Sequence, residues 1–313
     1  MNGVVAKQDK VYPRLLKEVS DAPKWLYHKG KWDSEIFENC LAVVGSRRMT
    51  TYGKQVVERF ITEIAMAGIT IVSGFMYGID AVSHKAALMA GGRTIAVMPC
   101  GIDIIHPEYQ KDLYFEILNN NCLIISEFEK DLAPAFWTYP KRNRIIAGLS
   151  KACLVIEAGE KSGSLITAGY ANKYKRKLFA VPGPITSENS KGTLQLIKDG
   201  AEMAISAKDI LRFYRESSEN KLFKSRPLFA PAGLTSPASP WLQRGEPKPF
   251  DLKSSFSPLE EKIIAYLQRE PLEIDAISRS LNVPVSKLGT VLSLMQIHGI
   301  VSKQGNKYYV DDK

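Results

Sequence analysis

The 313-residue sequence predicts an α/β protein, a doubly wound and mostly parallel sheet followed by a small C-terminal winged-helix domain. Three observations predict it. Short apolar, partly β-branched runs alternate with amphipathic helical stretches, the pattern of a parallel sheet covered on both faces. Most of those runs end in turn residues: Gly45-Ser46, Ser73-Gly74, Pro99, Ser126, Ala158-Gly159 and Pro182-Gly183. After a proline-rich stretch the pattern changes to three helical segments and a hairpin.

In chain order, residues 1–39 read as a short lead-in. The large domain, residues 40–219, has strands beginning at Cys40, Ile69, Arg93, Cys122, Lys151, Lys177 and Ala201, with helices between them. Seven such strands make a sheet of Rossmann type, whose ligands lie outside the carboxyl ends of the strands. Residues 220–256 are dominated by Pro, Ser, Gly and Lys, with Pro227, Pro231, Pro237, Pro240, Pro247 and Pro249 breaking any periodicity, and read as a linker. The last domain, residues 257–313, opens at Ser257-Pro258 with Glu260 and Glu261, a sound helix start. Helical patterns follow at 258–269, 273–281 and 284–298, then a hairpin of Ile300-Val301 and Tyr308-Tyr309-Val310 around Gly305-Asn306. That is the outline of a winged helix.

Composition narrows the partner. Lys and Arg total 42 against 33 Asp and Glu, and the resulting charge of +9 favours an acidic partner such as nucleic acid. Residues 257–313 balance seven basic against seven acidic side chains, so the surplus belongs to the large domain and the linker. Cys40, Cys100, Cys122 and Cys153 are isolated, without zinc-ligand spacing, and read as free thiols in a reducing compartment. The N-terminus lacks the apolar stretch of a signal peptide, and no run approaches the ~18 apolar residues of a membrane span. A cytoplasmic protein without metal or cofactor is the expectation.

The chemistry gathers between Tyr139 and Ala168. Tyr139-Pro140-Lys141-Arg142-Asn143-Arg144 reads as a loop of cations and aromatics, suited to single-stranded nucleic acid: guanidinium groups follow the phosphates while a ring stacks on a base. Tyr139 is the stacking candidate, and Trp137 is expected to pack beneath the loop. Ser162-Gly163-Ser164, opening the next helix with Thr167 close behind, aims backbone N–H groups and the helix dipole at an anion. Gly45-Ser46-Arg47-Arg48 places two arginines at the start of the first helix. This is not a dinucleotide fingerprint, because the next glycine is Gly53, and the Ser162 loop is not a Walker A loop because no G-K-[ST] follows. Asp80 and His84, one helical turn apart, read as a cap and a structural hydrogen bond rather than an acid–base couple, with no nucleophile beside them. Lys173, Lys175, Arg176 and Lys177 either extend a basic groove or form a solvated helix end.

These motifs occur in one order: Val-Val-Gly-Ser-Arg, Ser-Gly-x-x-x-Gly-Ile-Asp-x-x-x-His, Gly-Gly-Arg-Thr-Ile-Ala-Val, Ile-Ser-Glu, Tyr-Pro-x-Arg-Asn-Arg-Ile-Ile-Ala-Gly-Leu-Ser, Val-Ile-Glu-Ala, Ser-Gly-Ser-Leu-Ile-Thr-Ala and Phe-Ala-Val-Pro-Gly. Over about residues 10–215 the chain resembles the DNA-processing protein A (DprA, or Smf) family, and its C-terminal unit resembles the winged helix of many members. The resemblance implies an extended Rossmann-like fold, a homodimer, and a non-enzymatic role in natural transformation: binding and protecting incoming single-stranded DNA and helping load the RecA recombinase. Carried over, the DNA pocket uses Gly45, Ser46, Arg47, Tyr139, Arg142, Asn143, Arg144, Ser162, Gly163, Ser164 and Thr167. Lys141 and Lys175 join them on charge and position.

The chain departs from the family in three respects. Only about 35 residues precede the sheet where many members carry a helical domain. Tyr77 stands where the family often has Arg or Leu, and His106 where it has Tyr. The winged helix is neutral, a poor match to strong duplex binding. Two rival readings follow. Phosphoribohydrolases resembling lysine decarboxylases use a similar glycine loop to cleave nucleotides, but they carry an acidic residue soon after it, where this chain reads Leu-Ile-Thr-Ala. Alternatively the winged helix is the main DNA reader, yet its recognition segment, Val285 to His298, offers only Lys287 and His298 as basic groups.

Overall fold

The computed structural model describes residues 2–216, 258–267, 272–281, 283–297, 300–304 and 307–310. They fall into two units, one within residues 1–230 and one within 231–313. The expected linker at 220–256, the hairpin turn at Gly305-Asn306 and His298 lie outside the described residues.

The first unit is built on a nine-stranded sheet ordered β1-β2-β6-β5-β4-β3-β7-β8-β9. The seven expected strands are β3 (Cys40–Val44), β4 (Thr70–Gly74), β5 (Thr94–Val97), β6 (Leu123–Ser126), β7 (Ala152–Val155), β8 (Lys177–Ala180) and β9 (Glu202–Met203), all paired in parallel. Central strands read clearly in sequence because both faces are covered. In β3, Leu41 and Val43 face one core while Ala42 and Val44 face the other, as the pleat requires.

The N-terminal segment is more than a lead-in. β1 (Asn2–Ala6) and β2 (Trp25–Gly30) form an antiparallel hairpin, and β2 pairs antiparallel with β6, so the segment extends the sheet. β2 escaped the sequence reading because it is half polar: Leu26 and His28 are buried while Trp25 stays exposed.

Helices cover both faces. α2 (Thr51–Met66) buries Val57, Phe60, Ile61 and Ile64 in one core with α3 (Ile79–Met89) and α8 (Ala207–Glu216). The spacing of those four residues is one apolar stripe of a 3.6-residue period. On the opposite face α1 (Arg14–Lys17), α5 (Thr138–Leu149) and α6 (Ser164–Lys173) contribute Leu16, Ile145, Leu149, Ala168 and Ala171 to the other core. α4 (Lys111–Asn119) packs Leu113 and Ile117 near β5 and β6, and α7 (Lys191–Lys198) lies between β8 and β9.

The expected loop at Tyr139–Arg144 is instead the first half of α5. Pro140 sits in the first turn, where its missing N–H leaves no hydrogen bond unmade. The helix then gains by burying Ile145, Ile146 and Leu149.

In the second unit, α9 (Pro258–Leu267), α10 (Ile274–Leu281) and α11 (Val285–Ile297) surround Ile263, Ile277, Leu288, Leu292 and Met295. β10 (Leu272–Glu273) joins the expected hairpin β11 (Val301–Gln304) and β12 (Lys307–Val310) in a three-stranded antiparallel sheet ordered β10-β12-β11.

Candidate nucleic-acid interface

Strand β3 lies between β4 and β7, so chain order reverses there, and the loops leaving the carboxyl ends of β3, β4 and β7 diverge around a crevice. An open cavity of about 620 Å³ occupies it. Its walls come from the β3–α2 loop, the β4–α3 loop, the first turns of α5 and the loop into α6. Arg47, Arg48, Arg142 and Lys161 line it, against one lining carboxylate, Asp80.

The β3–α2 loop is held by Glu157, which the sequence placed in a motif without a role, and by Asn189, which sequence reasoning missed. Buried Glu157, just beyond β7, accepts 2.8 Å and 2.6 Å hydrogen bonds from Thr50 N–H and Oγ1, and its backbone carbonyl accepts one of 2.6 Å from Ser46 N–H. Thr50 Oγ1 in turn accepts from Gly53 N–H, capping α2. Asn189 donates to the Arg48 carbonyl at 2.6 Å. No local signal marks Asn189, which reaches this loop from 141 residues away. The Ser46 hydroxyl accepts from Arg48 N–H at 3.0 Å, so it shapes the turn as well as lining the cavity. Two glycines permit this crowding. A Cβ on Gly45 would stand 2.6 Å from Ile79, and one on Gly78, whose φ is +80°, would meet the Ser46 carbonyl at 2.4 Å.

Helix α5 sorts its cations by direction. Arg142 turns inward, 3% exposed, donating to the Val97 carbonyl and, at 3.2 Å, to Asn143 Oδ1 while facing Asp80. Burial pulls its pKa down to about 10, offset by Asp80, so it remains a cation at neutral pH. Burial pushes Asp80 up to about 6, offset by Arg142 and by a hydrogen bond from Ser73. Asn143 donates to the Gly163 carbonyl at 3.3 Å, tying α5 to the loop that opens α6. In that loop the Ser162 and Ser164 hydroxyls are 2.7 Å apart, and Thr167 lines the floor.

Three of the sequence-selected cations are not brought to the cavity. Arg144 lies two positions beyond Arg142, about 200° around the helix, and points to the N-terminal segment, donating to the Asp21 carbonyl and pairing with Glu127 at 2.5 Å. Lys141 pairs with the same Glu127 at 2.9 Å and covers the Phe128 and Trp137 rings. Lys175 follows the far end of α6, which rises about 15 Å over its ten residues. The cluster of Lys173, Lys175 and Arg176 is therefore at the opposite edge of the sheet, beside Glu18 and Ser20. Trp137 is 56% exposed and meets Phe128 edge-on, so it is only half covered.

Among the described residues Arg47 makes no ion pair; it stands at the cavity mouth within electrostatic reach of Asp80, its guanidinium carbon 5.1 Å from the Tyr139 ring centroid and 5.9 Å from that of Tyr77. A 2.8 Å hydrogen bond between the Tyr139 hydroxyl and His106 Nε2 fixes the ring, and burial, with Arg47 nearby, lowers the His106 pKa. His84 is fully buried, 2.6 Å from both the Gly74 carbonyl and Thr94 Oγ1, with its pKa pulled down to about 4 by burial. A carbonyl only accepts, so Nε2 of the neutral ring donates to Gly74, while the Thr94 hydroxyl, with one proton to give, lies within reach of both Nδ1 and the Ile71 carbonyl, the latter at 2.9 Å. His84 is a structural tie between β4 and β5. Among the described residues no cluster of three His, Cys, Asp or Glu side chains is arranged to hold a metal ion, and no helix is long and apolar enough to cross a membrane. The site offers cations, hydroxyls and one fixed ring to an anionic, base-bearing ligand.

Residues 3–215 match the family model of the DNA recombination-mediator protein A, and residues 246–306 match that of the DprA winged helix domain. The Smf protein of Synechocystis is 33% identical over 311 residues, covering 96% of this chain and 78% of that protein. The crystal structure of DNA processing protein A from Streptococcus pneumoniae superposes with a TM-score of 0.63 at 38% identity, over 67% of this chain and 73% of that one. The Helicobacter pylori protein, solved for its single-stranded DNA binding mode, gives 0.62 at 31% identity, over 69% and 96%. With an extended Rossmann-like sheet, a winged helix and these matches across both, the chain belongs to the DNA recombination-mediator protein A family.

Proposed function

We infer that this chain binds single-stranded DNA along the carboxyl edge of its sheet and acts as a recombination mediator without chemistry of its own. The observation that carries this reading is the cavity at the β3 crossover, where four cations face a single carboxylate that is already matched to Arg142. A polyanion is the ligand whose charge completes it, and Tyr139 beside Arg47 supplies a ring for an unpaired base. Gly45, Ser46, Arg47, Tyr139, Arg142, Asn143, Ser162, Gly163, Ser164 and Thr167 are the proposed contacts or the frame that positions them. Arg144, Lys141 and Lys175 act outside the cavity, the first two by anchoring α5 and the third at a separate basic edge.

Membership in the family supports a role in recombination and transformation. We extend it to protection of incoming strands, loading of a RecA-type recombinase, assembly as a homodimer and a cytoplasmic location. The test is fluorescence anisotropy of the full-length protein with matched single-stranded and duplex oligonucleotides across a salt series. Tighter, steeply salt-dependent binding of the single strand is expected. Equal or absent binding overturns the reading, and release of free base from nucleoside monophosphates would establish the nucleotide-cleaving alternative in its place.

A further inference from the structure

Tyr77 lines the cavity mouth 43% exposed, and Tyr109 is 69% exposed. The two lie on different loops that the fold brings together. Tyr109 belongs to a single 3-10 turn, Glu108–Gln110, and Gln110 Nε2 donates at 3.3 Å to the carbonyl of fully buried Phe75, two residues before Tyr77. Among the described residues neither phenol has a hydrogen-bond partner. A tyrosine exposed with a free hydroxyl contributes little to folding, so structural need leaves both rings unexplained. They share surroundings with Arg47: slight burial and then the Tyr77 phenol push the Tyr109 pKa up, while Arg47 pulls it down. Arg47 in turn is in cation–π range of both Tyr77 and Tyr139.

The cation thus has two aromatic rings within reach. One ring, Tyr139, is already assigned to base stacking, and Arg47 sits where a phosphodiester between neighbouring nucleotides would be neutralised. We propose that Tyr77 and Tyr109 form a second base-stacking subsite for single-stranded DNA, beside Arg47 and next to the Tyr139 ring. The strand then crosses the cavity mouth with a base on Tyr139, a phosphate on Arg47 and the next exposed bases on Tyr77 and Tyr109. Continuity with the cation-lined cavity, whose charge a polyanion completes, favours this occupant. The sequence alone left Tyr77 outside the pocket; the packing of the Glu108–Gln110 turn on Phe75 makes it part of an aromatic rim.

The subsite rests on the single-stranded DNA reading, and the experiment separates the two. Full-length wild type and the variants Tyr77→Ala, Tyr109→Ala, Tyr77→Phe and Tyr109→Phe are titrated by anisotropy with a labelled oligothymidylate and with an abasic phosphodiester of the same length. Each Ala variant is expected to lose about 5- to 160-fold in affinity for the thymidylate, the factor a stacked base contributes. The same variants should bind the abasic strand as wild type does, and the Phe variants should retain thymidylate binding. Ala variants that bind thymidylate like wild type overturn the subsite alone. So does an equal loss on both ligands, which would assign the rings to the fold or to Arg47 placement. Wild type that fails to bind thymidylate overturns the parent reading and the subsite with it.

Discussion

Removing Arg47 and removing Arg144 should affect opposite properties of this protein, although both arginines belong to family motifs. Arg47 is exposed and, among the described residues, in no ion pair, so its charge is available to a phosphate. Each phosphate neutralised on a single strand adds about 0.7 to the slope of log affinity against log salt. A rise from about 50 to 200 mM salt should therefore weaken wild type about 2.6-fold more than Arg47→Ala, for one lost contact. Arg47→Ala should leave the thermal midpoint unchanged. Arg144 and Glu127 are only 10% and 8% exposed, and the Asp21 carbonyl takes a further guanidinium N–H. Arg144→Ala leaves Glu127 with Lys141 as its remaining partner, and breaking a buried pair in this way costs about 3 to 5 kcal/mol. For a unit of this size that is a drop of about 6 to 20 °C in midpoint, with the salt slope of the folded protein unchanged. Anisotropy across a salt series and a thermal scan of both variants measure the pair of effects. A flattened slope with an unchanged midpoint in Arg144→Ala would refute the assignment of that side chain to anchoring.

Tyr139→Ala should lose about 1 to 3 kcal/mol of single-strand affinity, while Tyr139→Phe, which keeps the ring and gives up the hydrogen bond to His106, should lose much less; equal losses in titration would assign the contact to the hydroxyl. Thr50→Val removes both the α2 cap and one hydrogen bond to buried Glu157, and urea unfolding should find it about 2 kcal/mol less stable, with no change if the loop is held otherwise. The stability of wild type across acid pH carries two opposed contributions. His84, pulled down to about 4, stabilises fully above its unfolded value and loses that contribution as pH falls through about 4. Asp80, pushed up to about 6, stabilises fully below its unfolded value and loses that contribution as pH rises through about 6. Asp80→Asn deletes the second contribution, so its stability should climb by about 3 kcal/mol more than that of wild type between about pH 4 and 6. Parallel pH profiles in urea unfolding would remove Asp80 from this balance.

The central strands were legible because a strand buried on both faces must be apolar throughout, and Cys40–Val44 or Ala152–Val155 need no tertiary knowledge to be recognised. The loop motifs were legible for a related reason: glycine and hydroxyl residues directly after such a strand mark its carboxyl end, and that edge is where a doubly wound sheet binds ligands. The edge hairpin of β1 and β2 was not, since an outer strand with polar residues resembles any extended segment. Nor was the helix under Tyr139–Arg144, because proline and clustered cations mark a turn as readily as a first helical turn.

The sequence by itself determined which residues are cationic, which segments must be buried, and that loops of glycine and hydroxyl residues end the strands. Only the tertiary structure decided which cations remain available to a ligand. Arg142 and Arg144 are two residues apart, and the helix sends them to opposite sides, where Asp80 and Glu127 arrive from distant parts of the chain. Among the described residues Arg47 meets two rings and makes no ion pair. The charge of an arginine is set by its chemistry, but its availability depends on what packs against it, and those partners are neighbours in space that no local pattern encodes.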